Sequence, residues 1–182
     1  MRKINIGLTD EQRQGVIELL NQDVADVYLL LIKTKKYHWD VIGPQFRTLH
    51  QLWEEQYTLL TETVDSIAER IRQLGGFPVS TAMEFTRLAT VQESPDVIPN
   101  ATEMVARLID DHELIIRNLR EQVDRCAEEF HDQGTADFLT GLMEQHEEMA
   151  WILRSFIEGE AIAADGAQPG KPAKTPVGAG KH

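Results

Sequence analysis

Four runs of apolar residues spaced three and four apart limit the chain more than any other feature. In the first, Val16, Leu20, Val24, Val27 and Leu31 continue through Thr34 to His38, which predicts a helix from about Asp10 to about Asp40. Thr9 with Gln12 has the pattern of a capping box at its start. Gly43-Pro44 breaks the run, with Pro44 suited to the first turn of a second helix. That helix carries Phe46, Leu49, Trp53, Leu60, Val64, Ile67, Ile71 and Leu74, and stops at Gly75-Gly76. A third begins at Asn100, with Glu103 three residues on, and holds Val105, Leu108, Ile115, Leu119, Val123 and Phe130. Gly134 is expected to interrupt it and Thr135 to cap the fourth, which carries Leu139, Leu142, His146, Met149, Leu153 and Phe156.

Strand alternation is absent from the pattern. Phe77 to Pro99 keeps no long period, although Ser80 to Leu88 suits a short helix. Short links make the first and second helices antiparallel neighbours, and likewise the third and fourth, while a crossover of about two dozen residues joins the pairs. The expected fold is therefore all-α: a four-helix bundle over residues 1–158, with a short helix in its crossover. Residues 159–182, rich in Ala, Gly and Pro, read as a flexible tail.

With 182 residues, 42% of them hydrophobic, the chain can bury one proper core. No run approaches 18 apolar residues, so no transmembrane helix is expected. The N-terminus lacks the apolar segment of a signal peptide, which makes the cytoplasm the expected compartment. Cys126 is alone and cannot form an intrachain disulfide. A net charge of −12 weighs against bulk electrostatic binding of nucleic acid and suits either cation attraction or simple solubility.

The chemistry concentrates between His38 and Glu69. His50 and Glu54 are one helical turn apart, and Asp65 and Glu69 repeat that spacing. Eleven residues, close to three turns, separate Glu54 from Asp65, so the four side chains share one helix face. Imidazole with carboxylate suits Fe(II) or Zn(II). The same spacing also occurs on solvated or salt-bridged helices, and Arg70 and Arg72 lie nearby. His50 and Asp65 are roughly 22 Å apart along the axis, whereas ligands sit about 2 Å from a metal. One helix cannot join both pairs on one ion. A two-fold axis near Leu59-Leu60 sets the Asp65 and Glu69 of a second copy opposite His50 and Glu54, giving two equivalent sites per dimer. His38, at the end of the first helix, then completes the histidine side.

The motifs H-W-x-V-x-G-P-x-F-x-x-L-H-x-L-x-x-E-Q and D-x-I-A-E-R-I-R-x-L-G-G resemble the Dps family of mini-ferritins, and the likeness covers Leu8 to about Glu158. It implies a ferritin-like bundle assembling as a dodecameric shell with ferroxidase centres at two-fold interfaces. His38 and His50 match the histidine ligands of one subunit, and Asp65 and Glu69 the carboxylates of its mate. Glu54 stands where many members have Asp. Trp39 and Trp53 are expected to flank the site; the resemblance implies a part in electron transfer for a nearby Trp, with simple packing at an interface the alternative for Trp53. The resemblance further implies Fe(II) oxidation with hydrogen peroxide and storage of ferric oxide against an acidic inner surface, for which Glu62, Asp110, Asp111 and Glu113 are candidates. Zinc is a possible competitor for the centre. Asp137, in the acidic segment Asp124 to Asp137, matches a pore-lining position.

Other groupings are weaker. Only Glu128-Glu129-Phe130-His131 has the E-x-x-H form of an intra-bundle di-iron site, and it lacks a partner. His112 and His146 lie on apolar stripes. A turn near Gln133 leaves them on the order of 12 Å out of level, so they are expected to share no metal within one bundle and to be satisfied core histidines, and an intra-bundle site is not expected. DNA binding, the alternative function, is expected to be weak or absent. The tail has Lys171, Lys174 and Lys181 against Glu160 and Asp165, and the N-terminus adds Arg2 and Lys3.

Overall fold

The computed structural model describes residues 4–158, so the expected tail lies outside the described residues. The order is α1 (Asp10–Asp40), α2 (Phe46–Gln73), α3 (Ala82–Leu88), α4 (Ala101–Asp124), a π-helical turn (Arg125–Glu129) and α5 (Gln133–Arg154). Capping chemistry sets the starts. The Thr9 hydroxyl accepts from the Gln12 backbone N–H while the Gln12 side chain accepts from Thr9, and Asn100 with Glu103 does the same for α4. At the end of α2, Gly75 takes φ +89°, its N–H bonds the Arg72 carbonyl, and the Gly76 N–H bonds the Ile71 carbonyl. These are the two bonds of a Schellman stop, which needs a left-handed residue at this position.

The four long helices meet on one core. Leu20 and Leu30 of α1, Leu60 and Ile67 of α2, Leu108 and Leu119 of α4, and Leu139 and Leu153 of α5 are all fully buried or nearly so. Polar links fix the register. The Arg13 guanidinium donates to the Leu74 carbonyl across α1 and α2, and Lys33 pairs with Asp111 at 2.6 Å across α1 and α4. Between α2 and α5, Thr63 donates to Gln145 (2.9 Å) and Arg70 donates to Thr135. The crossover is tied down by Asp26, whose carboxylate accepts from the Thr90 and Val91 N–H groups.

Several local expectations are corrected. Pro44 sits in the turn before α2, whose N-cap is Gln45. The reversal before α5 is only Phe130–Asp132. Asp132 caps α5 by accepting from the Thr135 N–H, and Gly134 lies inside the helix. Asp124 to Asp137 is therefore mostly helical. Phe46 and Phe156 were assigned to apolar stripes but are 45% and 39% exposed. Trp53 is fully buried inside its own subunit, its ring 6.1 Å from that of Tyr37, so its packing belongs to the bundle core.

Asp23 is buried beside Gln122, and burial pushes its carboxyl up from 3.8 to about 8. Asp23 Oδ2 and Gln122 Oε1 both lack partners, and a proton on the acid supplies the donor that these two acceptors need. The folded chain thus holds a proton that an unfolded Asp loses above 3.8, so this group's contribution to stability falls as pH rises from 3.8 to about 8. Burial acts oppositely on His146, lowered from 6.5 to about 4, and on His112, also held well below 6.5, so their contribution is lost as pH falls below 6.5. Asp23→Asn should gain stability relative to wild type as pH rises toward 8. Thermal melts across that range check this, and a pH-independent difference would count against a protonated Asp23. Gly75→Ala should cost about 1–2 kcal/mol by forcing a Cβ into the left-handed region, read as a lower urea midpoint with an unchanged slope.

Candidate metal centre

Only Val41–Gln45 separates α1 from α2, so the last turn of α1 returns beside the first turns of α2. That return stacks the His38 ring on the His50 ring, centroids 3.7 Å apart and planes 15° apart. Their hydrogen bonds are reciprocal. His38 Nδ1–H donates to the His50 carbonyl and His50 Nδ1–H to the His38 carbonyl, each at 2.7 Å. A carbonyl oxygen only accepts, so each Nδ1 carries a proton, and it is Nε2 whose lone pair the neutral form of each ring would present. Fixing the tautomer and orientation of a ligand through its other nitrogen is the usual second-shell device at metal sites. The His38 carbonyl lies in the last turn of α1, where intrahelical donors run out, so His50 also fills that vacancy. The same helix end carries partial negative charge, which favours a cation there.

Aromatic side chains wall the pair. Phe46 stacks on His50 at 5.0 Å and Tyr57 meets His38 edge-on at 5.2 Å, with the Lys35 ammonium 4.9 Å from the Tyr57 ring centre. The sequence reads Phe46 only as part of an apolar stripe and gives Tyr57 no role. Their positions, one turn before and two turns after His50, carried the signal. Trp39 (68% exposed) and Ile42 (82%) leave apolar surface uncovered near the pair.

Of the carboxylates, Glu54 lies one turn past His50 on α2, while Asp65 and Glu69 lie much farther along it. Glu54, Asp65 and Glu69 are exposed, and among the described residues no three His, Cys, Asp or Glu side chains gather into a metal-sized cluster within one subunit. Their arginine neighbours are engaged away from them. Arg70 reaches Asp132 and Thr135, while Arg72 bonds the Gly76 carbonyl and covers the Phe77 ring. Among the described residues none of the three carboxylates forms an ion pair, so the salt-bridged alternative is corrected. Thr58 and Thr61 turn their hydroxyls back to carbonyls of α2. One chain thus presents two oriented nitrogen donors at one end of α2 and free carboxylates toward the other.

The secondary acidic sites divide. Asp111 pairs with Lys33 and Glu113 with Arg154, whereas Glu62 and Asp110 stay exposed. Of the proposed pore segment, Asp132 is buried beneath Arg70 and Glu129 pairs with Arg125, while Asp137 is exposed on α5.

His112 and His146 are nowhere near 12 Å apart: their Nδ1 atoms are 2.9 Å from each other, and both side chains are fully buried. The chain reverses earlier than Gln133, and the π-helical turn fits extra residues into the end of the third run, which brings the two histidines level. Among the described residues both Nε2 atoms lack a partner, an arrangement that costs about 1–3 kcal/mol for each unsatisfied group.

A ferritin-like domain family model matches residues 17–161. The chain is 67% identical over 178 residues to a low temperature-induced protein of Nostoc sp., covering 98% of this chain and 99% of that one. It is 39% identical to DNA protection during starvation protein 2 of Bacillus anthracis, over 78% of this chain and 96% of that one. Among solved structures, DpsC from Streptomyces coelicolor superposes with a TM-score of 0.84 at 29% identity, covering 90% of this chain and 95% of its own. Dps from Thermosynechococcus elongatus gives 0.78 at 33% identity, covering 85% and 98%. With its helical order, this match along most of its length and these relatives, the chain belongs to the Dps family of ferritin-like proteins.

Proposed function

We propose that the protein is a ferroxidase mini-ferritin that oxidises Fe(II) at centres shared between two subunits and stores ferric oxide inside a dodecameric shell. The reciprocal clamp of His38 and His50 carries this reading, because it prepares two Nε2 lone pairs for a metal while one subunit keeps its carboxylates far along α2. A two-fold partner supplies Asp65 and Glu69. Glu54, one turn from His50, reaches toward the same ion with an arm one methylene longer than Asp. The uncovered apolar surface of Trp39, Ile42 and Phe46 suits burial by that second copy. A solved Dps from Vibrio cholerae is described as a member of a superfamily of ferritin-like diiron-carboxylate proteins, which supports iron as the substrate.

Hydrogen peroxide is the proposed oxidant. Two Fe(II) and one peroxide, with two protons, give two Fe(III) and two waters, so no single-electron step releases hydroxyl radical. The chain's own contribution is to hold iron by neutral nitrogens and anionic oxygens, and to keep the imidazoles in the ligating tautomer. Oxidised iron then nucleates on acidic inner surface, for which Glu62 and Asp110 remain free, and Asp137 lines the entry route. Zn(II), which imidazole and carboxylate also suit, competes for the centre. The described residues include no helix long and apolar enough to cross a membrane, and a cytoplasmic location agrees with the chemistry. Contact with DNA is at most secondary, since the net charge of −12 opposes it.

Anaerobic loading with Fe(II) followed by stoichiometric peroxide tests the centre. His50→Ala should slow oxidation at least about tenfold, the scale on which even outer-shell changes act, and equal rates would sink the assignment. Shells reassembled from a mixture of His50→Ala and Asp65→Ala subunits should regain activity that neither parent has. A mixed interface keeps one of its two sites intact, so inactivity despite proper assembly would refute ligands shared between subunits.

A further inference from the structure

We propose that His112 and His146 form a second metal site, wholly inside one subunit's bundle, that takes a soft monovalent ion, Cu(I). The two rings face each other with Nδ1 to Nδ1 at 2.9 Å, centroids 5.1 Å apart and planes inclined by 55°. Two ring nitrogens from different helices converge on one point, and neither ring has any other polar partner among the described residues. As a hydrogen-bonded pair the arrangement is poor. One Nδ1 must carry the shared proton, which leaves one ring with a buried bare Nε2 and the other with a buried Nε2–H. With a metal in place of that proton, both rings adopt the Nε2–H form and both Nδ1 atoms become ligands.

Geometry allows the exchange. Metal–nitrogen bonds of about 2.0–2.1 Å on either side of a two-coordinate ion need the two Nδ1 atoms, now 2.9 Å apart, to part by roughly 1.1–1.3 Å, a movement within side-chain torsions of one packed pair. Burial keeps both rings neutral near pH 7, so protons do not compete for the lone pairs.

The donor set chooses the ion. Two neutral nitrogens cannot offset a divalent charge in an apolar core, and no carboxylate joins them in a cluster among the described residues. That argues against Fe(II), Mg(II) or Ca(II) and favours a singly charged soft ion content with few ligands. Met143 and Met149, each three residues from His146 on α5 and both buried, add polarisable sulfur to the same inward stripe. This site shares no residue with the His38 and His50 centre and does not depend on iron chemistry there.

Anaerobic titration of the assembled protein with Cu(I), in competition with the chelator bicinchoninate, tests the proposal on wild type, His112→Asn, His146→Asn and His50→Ala. One ion per subunit should be held in wild type and in His50→Ala, with affinity at least about tenfold lower in either of the other variants. Equal affinity in all four proteins, or loss in His50→Ala alone, overturns the site. X-ray absorption on Cu(I)-loaded His50→Ala, whose interface pair is broken, covers the case that the other variants fail to fold. A shell with two nitrogens about 2 Å from copper supports the site; a shell without them, or no retained ion, refutes it.

Discussion

The short return between α1 and α2 is the constraint on which the rest depends. Five residues cannot carry the chain across a bundle, so α1 and α2 lie antiparallel with the end of one beside the start of the other. The two histidines then exchange hydrogen bonds through each other's carbonyls, which closes the frayed end of α1 and orients two ligands together. Structural satisfaction and chemical preparation are the same pair of bonds. Neither histidine needs an outer carboxylate to set its tautomer, which leaves the acidic residues of α2 free of that duty.

Length makes the other half of the argument. α2 runs for 28 residues, and its rise separates the histidine end from Asp65 and Glu69 by far more than a coordination sphere spans. A helix long enough to cross the bundle is therefore too long to bring its histidine end and its distal carboxylates together. The arginines that neutralise carboxylates on many surface helices are drawn here toward the base of α5 and the end of α2. Asp65 and Glu69 are left exposed and, among the described residues, unpaired, as groups awaiting a partner surface would be.

A second polar layer lies inside the bundle. Asp23, Gln122, His112 and His146 are all buried, and each keeps an atom without a partner. Burial holds the acid protonated and the imidazoles neutral, so the core carries little charge despite its polar content. These groups pull stability in opposite directions with pH, which makes the acid and alkaline limits of the fold separate physical events.

Apolar periodicity, capping residues and the Gly75-Gly76 stop were legible because each acts through neighbours within about one turn. So α1 begins and ends at Asp10 and Asp40 as its stripe predicts, and the candidate ligand residues of α2 share a face by arithmetic alone. What the sequence could not carry was the level of one helix against another. A reversal of three residues and one π-helical turn moved His146 beside His112, and Trp53 went to the core of its own subunit because α1 covers that side of α2. By itself the sequence determined the helices, their order and the separation of the ligand pairs, since rise and period are local properties of the backbone. Only tertiary structure decided which nitrogen of each histidine is free and which polar groups are buried together, because these depend on contacts between residues far apart in the chain.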